Sequence, residues 1–156
     1  MRVENLRRER GIMKDRRYFI VYVEDSPVAR EMVQDGLEET EYLLETASDV
    51  ADLERRVLSD EDLVRQVDLF IFDFDMPEMT GTQIATVLEQ AYQELKGTPF
   101  IIFSGRPREE VVQAIEDAQG YSRAFAKNFK AYVEKKGGSV SDLLNKIKEV
   151  LSELSG

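Results

Sequence analysis

The chain contains no cysteine and no histidine. Without cysteine there is no disulfide framework, no thiolate metal site and no thiol nucleophile. Without histidine, both the usual general base at neutral pH and the commonest metal ligand are missing. Any metal must be held by oxygens, which favours a hard cation such as Mg2+ over Zn2+. Long hydrophobic runs are absent too. "LFIF" and "FIIF" are far too short to span a bilayer, and the N-terminus lacks the apolar stretch of a signal peptide. The expectation is a cytoplasmic protein with no membrane association. Its 156 residues suit one domain with a real core, and 42% hydrophobic and 33% charged residues are ordinary for a globular chain.

Positive charge is the scarcer sign. The 21 Lys and Arg face 31 Asp and Glu, for a net charge of −10. That balance argues against nucleic-acid binding by the body of the protein. The bases gather at one end: residues 1–17 carry seven Arg/Lys against three Asp/Glu, leaving about −14 for the remainder. "RVENLRRERGIMKDRR" reads as a basic N-terminal extension. It is either a solvated tail or short helix, or an arm that docks on an acidic partner or nucleic acid.

Along the rest of the chain, runs of apolar β-formers alternate with amphipathic stretches. "YFIVYVED" predicts a first strand that closes in acids. "SPVAREMVQDGLEE" predicts a helix with Ser26 as N-cap, Pro27 at its first position and apolar residues at 28, 29, 32, 33 and 37. "YLLETA" is a second strand, followed by a helical stretch from about Asp49 to Gln66, and "VDLFIFD" is a third strand. "GTQIATVLEQAYQELKG" predicts a helix stopped by Gly97, "PFIIFSG" a fourth strand and "REEVVQAIEDAQG" a fourth helix. "AYVEKK" is a short fifth strand, and "SVSDLLNKIKEVLSEL" a closing helix. Five strand–helix pairs with near-continuous apolar strands imply an α/β fold, a parallel sheet covered by helices on both faces.

Open parallel sheets bind ligands beyond the carboxyl ends of their strands. The first strand ends in Glu24-Asp25, the third in Asp73 and the fourth in Ser104; the fifth runs into Lys135. Three carboxylates brought together need a counter-charge, and an all-oxygen set points to Mg2+. A lysine and a hydroxyl facing a metal-bearing carboxylate are what a transferring phosphoryl group needs. The cations neutralise its oxygens, the hydroxyl donates a hydrogen bond and the carboxylate attacks in line. Singly, each residue also has a plainer reading. Asp73 could cap a helix, Glu24-Asp25 could enter a turn, Ser104 could satisfy a buried backbone group, and Lys136 could take the place of Lys135.

With the acidic pair Glu24-Asp25, "DLFIFDFDMPEMTG" around Asp73, Ser104, and "YVEK" ending in Lys135, the chain resembles the receiver domains of two-component response regulators (the CheY-like family). The resemblance covers about residues 18–152, leaving 1–17 as the basic extension and 153–156 as a tail. It implies a flavodoxin-like doubly wound five-stranded sheet in the order 2-1-3-4-5, with an extended connection between strands 4 and 5. It also implies that Asp73 is the phosphoacceptor, supplied by a sensor histidine kinase or histidine phosphotransfer protein. Asp25, Glu24, Asp73 and the backbone carbonyl of Asp75 would hold Mg2+, while Ser104 and Lys135 would hold the phosphoryl oxygens. Tyr132, three residues before the lysine, matches the aromatic that swings inward when the hydroxyl residue moves. As an aromatic in a short strand, it could equally be packing alone. Pro77 would make the loop leave the strand extended, and Gly81 would let the backbone turn closely into the next helix.

The chain departs from the family pattern in three places. Lys136-Gly137-Gly138 follows the lysine where many receivers carry proline. Asp75 adds a charge two residues past the acceptor, and Arg106 is placed to pair with it across the mouth of the site. "YSRAFAKNFK" between Gly120 and Ala131 makes the connection longer, with Tyr121, Phe125 and Phe129 on one helical stripe. This segment reads as an extra helical turn packed on the body, and as a modified partner surface. Only a couple of residues follow the closing helix, so the expectation is a stand-alone receiver without enzyme activity of its own beyond self-catalysed phosphorylation and dephosphorylation. Its output would go to an unknown downstream protein target; homodimerisation is allowed, and DNA binding by the domain is not expected. One alternative is a haloacid-dehalogenase-like phosphohydrolase using Asp73 and Asp75, although Pro77 and the early acidic pair fit that family poorly. The other is a pseudo-receiver that only docks.

Overall fold

A computed structural model describes residues 17–76, 78–136 and 140–155. The basic segment before Arg17, Pro77, and the Gly137-Gly138-Ser139 loop therefore lie outside the described residues. Five parallel strands form one sheet: β1 (Phe19–Val23), β2 (Leu43–Ala47), β3 (Val67–Asp73), β4 (Phe100–Ser104) and β5 (Phe129–Glu134), in the order β2-β1-β3-β4-β5. This is the α/β, 2-1-3-4-5 arrangement that the alternation and the family resemblance imply. Around the sheet lie α1 (Pro27–Glu38), α2 (Val50–Leu53), α3 (Glu61–Val64), α4 (Gly81–Ala91), α5 (Arg108–Tyr121), α6 (Arg123–Asn128) and α7 (Ser141–Ser155).

Every residue of β1 and β4 is buried, as expected where helices cover both faces of a parallel sheet. Alternate side chains sort into two cores. Val21, Val23, Phe70, Phe72 and Ile102 pack with Leu53, Ile84, Val111 and Phe125 on one side. Ile20, Tyr22, Leu69, Ile71 and Phe103 pack with Val33, Leu143, Ile147 and Leu151 on the other.

Local chemistry sets most helix starts. Ser26 accepts the Ala29 N–H at 3.2 Å, with Pro27 at the first helical position of α1. Thr80 and Gln83 form a reciprocal capping box at the start of α4. Three helices differ from their sequence expectation. The helix expected over 49–66 is α2, a π-helical turn (Glu54–Leu58) and α3, because Asp60 accepts the N–H groups of Asp62 and Leu63 and so starts a new helix. The π turn lets Leu53, Val57 and Leu58 all stay buried. The helix expected to run to Gly97 ends at Ala91. A 3-10 turn, Gln93–Leu95, follows, and Gly97 adopts a φ of +84°.

The third difference concerns the stripe expected at Tyr121, Phe125 and Phe129. Ser122 interrupts the helix and caps α6, and Phe129 begins β5. Phe125 and Phe129 stack at 5.8 Å, whereas Tyr121 is 67% exposed. Along α1 the buried positions are Val33 and Leu37, and Val28 faces solvent. No helix among the described residues is long and apolar enough to cross a membrane.

Candidate functional site

The strand order makes β1, β3, β4 and β5 consecutive, so residues far apart in sequence share one rim. Glu24 and Asp25 follow β1, Asp73 ends β3, Ser104 ends β4 and Lys135 follows β5. Tight turns fix these ends. The Lys135 N–H donates to the Ser104 carbonyl at 2.8 Å, tying the end of β5 to β4. At Gly81 an added Cβ would stand 2.6 Å from the Asp73 carbonyl oxygen, so α4 starts directly against the end of β3. This is the close turn read from its spacing.

The Lys135 Nζ donates to Glu24 Oε1 at 2.5 Å and to Asp73 Oδ1 at 3.2 Å, and lies 5.5 Å from the centre of the Phe103 ring. Of the two adjacent lysines, Lys135 is the one brought to the acids. Lys136 is exposed and lies 3.9 Å from Asp142. Glu24 is buried and also accepts from the Tyr22 hydroxyl at 2.7 Å and the Ser26 N–H at 3.2 Å. Burial raises its pKa, but Lys135 and Tyr22 outweigh that effect and hold it below its ordinary range. Asp73 is buried as well. Burial, and then the Glu24 charge, push it up to about 7, against the opposing pull of Lys135. Asp25 is exposed, and desolvation and Glu24 raise its pKa.

Glu24, Asp25 and Asp73 each offer a carboxylate oxygen, and the three lie within 4.8 Å of one another. Among the described residues only the Lys135 ammonium pairs with these carboxylates, so three acids face one counter-charge. The site's donors are all oxygen, and that set fits a small hard divalent cation such as Mg2+. Ser104 is fully buried, and its Oγ accepts the Arg106 N–H at 3.0 Å. That bond satisfies a backbone group and leaves the hydroxyl proton free to donate.

Asp75 stands apart from this cluster. Its side chain is 62% exposed and pairs with Arg106 at 3.5 Å, and Arg106 also reaches Glu110 at 3.6 Å. The ion pair expected across the mouth is thus present. Tyr132 is half-buried against the core, and its hydroxyl is buried without a hydrogen-bond partner among the described residues. The Arg108 guanidinium lies 5.6 Å from the ring centre and pairs with Glu134 at 3.1 Å. Sequence reasoning passed over two contributors. Tyr22 sits two residues before Glu24, so the period-2 alternation of a strand could have placed it on the same face. Arg30 donates from Nη1 to the Glu24 carbonyl at 2.6 Å, and nothing in its spacing announces that contact.

Together, the fold and the site define a flavodoxin-like α/β domain with an acidic pocket closed by lysine at its carboxyl rim. The response regulator receiver domain model matches residues 20–147, and the chain belongs to that family. Receiver domains are phosphoacceptor signalling modules that bind Mg2+ in such an acidic pocket. Among solved structures, the fold is similar to a signal receiver domain of an HD domain-containing protein from Pseudomonas fluorescens Pf-5. The TM-score is 0.68 at 22% identity, over 88% of this chain and 97% of that one. It is also similar to the Vibrio cholerae chemotaxis protein CheY4, with a TM-score of 0.67 at 22% identity over 86% and 98% of the two chains. A third relative is the Thermotoga maritima response regulator TrrA in complex with Mg2+ and BeF, with a TM-score of 0.62 at 23% identity over 85% and 97%. No curated protein matches the chain.

Proposed function

We propose that this chain is a phosphorylation-driven switch in which Asp73 accepts a phosphoryl group from the phosphohistidine of a sensor kinase or phosphotransfer protein. The observation that carries this reading is the contact of one ammonium, that of Lys135, with both Glu24 and Asp73. An Asp73 oxygen bonds to phosphorus as the phosphorus–nitrogen bond breaks, and the imidazole leaves with the electron pair. Lys135 then moves its ammonium from the two carboxylates onto the phosphoryl oxygens, and the Ser104 hydroxyl donates to another of them. Glu24, Asp25, Asp73 and the Asp75 carbonyl would hold Mg2+, which when bound neutralises the charge of the phosphoryl oxygens. As Ser104 moves toward the phosphoryl group, Tyr132 turns inward. The exposed surface around β5 changes, and a downstream protein reads that change.

The test is intact mass after incubation with acetyl phosphate, with and without Mg2+, beside the Asp73→Asn variant. A single phosphoryl adduct that needs both Mg2+ and Asp73 is expected. An adduct of equal yield on the Asn variant would show that another residue is the acceptor. Lys135→Ala should still be phosphorylated but should lose the change around Tyr132, which tyrosine fluorescence or NMR would read.

A further inference from the structure

The segment that lengthens the connection into β5 has two sides. Inward, Phe125 is buried with its ring centre 5.0 Å from that of Phe100 and 5.8 Å from that of Phe129. These are the first residues of β4 and β5, so α6 packs at the amino end of the sheet. The acidic pocket lies at the other end, about 17 Å away for five residues of strand. Outward, Arg123, Lys127 and Lys130 are all exposed, and Tyr121 is 67% exposed. From Tyr121 to Lys130 there is no Asp or Glu. Lys96 is also exposed and follows Leu95, which shares a cavity of about 20 Å³ with Ala124, Phe125 and Asn128; Glu89 borders the same cavity.

Acids outnumber bases 31 to 21 in this chain, and several surface cations find a carboxylate. Arg55, Arg56, Arg106 and Arg108 each do. Arg123, Lys127 and Lys130 make no ion pair among the described residues; the Lys130 ammonium donates only to the Lys127 carbonyl, at 3.3 Å. A packed anchor that presents unpaired cations beside an exposed tyrosine has the composition of a protein-binding patch, in which Tyr and Arg are favoured anchors.

We infer that the exposed residues of α6 and its two flanks, Tyr121 at the end of α5, Arg123 and Lys127 on α6 and Lys130 at the start of β5, form a docking surface for an acidic segment of another protein. Charge complementarity selects that occupant. DNA and anionic membranes are long polyanions, and the net charge of −10 repels them at the range where they would approach. A second copy could offer its own acidic surface, but such a contact is head-to-tail and builds rings or filaments rather than a two-fold dimer. The surface lies at the opposite end of the sheet from Asp73, so a partner held there leaves the phosphorylation site open. The inference does not depend on the chemistry of that site.

The experiment uses the full chain and a fluorescein-labelled peptide of three Glu-Asp-Ala-Leu-Glu repeats, with binding read by fluorescence anisotropy. Wild type should bind, and binding should weaken as salt rises. The Arg123→Glu/Lys127→Glu/Lys130→Glu variant should bind at least tenfold more weakly, and Tyr121→Ala several-fold more weakly. Amide NMR shifts on titration should concentrate at 121–130 and leave Asp73 unmoved. All four side chains are exposed, so circular dichroism should match wild type. Equal binding by the triple variant, or no binding by wild type, would overturn the inference. So would equal or tighter binding to a 12-base-pair DNA duplex or to phosphatidylserine vesicles, or self-association that the same substitutions abolish.

Discussion

Single residues here carry opposing demands of charge and burial. Asp73 is held beside Glu24, where two buried carboxylates share one ammonium. Asp73→Asn keeps the shape and removes that repulsion. Urea unfolding of the metal-free variant should show a gain of about 1–2 kcal/mol over wild type, a stability that the functional site forgoes. Asp52 shows the reverse balance. Burial pushes its pKa up, but the Ser48 N–H at 2.9 Å, Arg56 at 2.9 Å and Arg55 together bring it below its ordinary 3.8. A lowered carboxyl stabilises the fold fully above its ordinary pKa, and that contribution is lost as pH falls through the folded value. Asp52→Asn should therefore cost about 1–3 kcal/mol at pH 7 and progressively less below pH 3.8. Arg106→Ala would free the Asp75 charge at the mouth. Phosphorylation by acetyl phosphate, itself an anion, should slow by a few-fold at low salt, and the difference should fade at high salt.

At the scale of elements, the turn from β3 into α4 is the most sensitive joint. Gly81→Ala places a carbon 2.6 Å from the Asp73 carbonyl oxygen, so the strand end or the helix start must shift. A loss of about 1–3 kcal/mol is expected from such overpacking. Because the shift falls on Asp73, the phosphorylation rate should drop as well, whereas Thr80→Ala should cost about 1 kcal/mol of stability through the lost cap. Elements announced by local chemistry were legible in the sequence. Ser26-Pro27 starts α1 where its cap predicts, and the run "VDLFIFD" is β3 residue for residue. Elements that end for tertiary reasons were not legible. The helical pattern continues past Leu53, Ala91 and Tyr121, yet the chain breaks near each because Val57 and Leu58, Leu95, and Phe125 must reach the core. The site followed the same division. Residues at the carboxyl ends of strands could be read from position, and so could the pairing of Asp75 with Arg106; the Arg30 bond to the Glu24 carbonyl, which depends on how α1 sits against the rim, could not.

For the molecule as a whole, cation binding and folding are linked. A divalent cation that binds only the assembled trio of Glu24, Asp25 and Asp73 stabilises the folded state by mass action, about 2.7 kcal/mol at a hundredfold excess over Kd. The Tm measured by calorimetry should rise with Mg2+ and return on adding EDTA, and Glu24→Gln should blunt the rise. The trio is not a local motif. Lys135 reaches Glu24 across 111 positions of sequence and Asp73 across 62, and its backbone closes on Ser104 at the end of the neighbouring strand. During synthesis the first four strands leave the ribosome before the lysine does, so an unfinished chain holds the acids without their ammonium. The charge balance of the site is thus completed last, with the fifth strand, and a chain that stalls or is clipped before it lacks the lysine that faces Glu24 and Asp73.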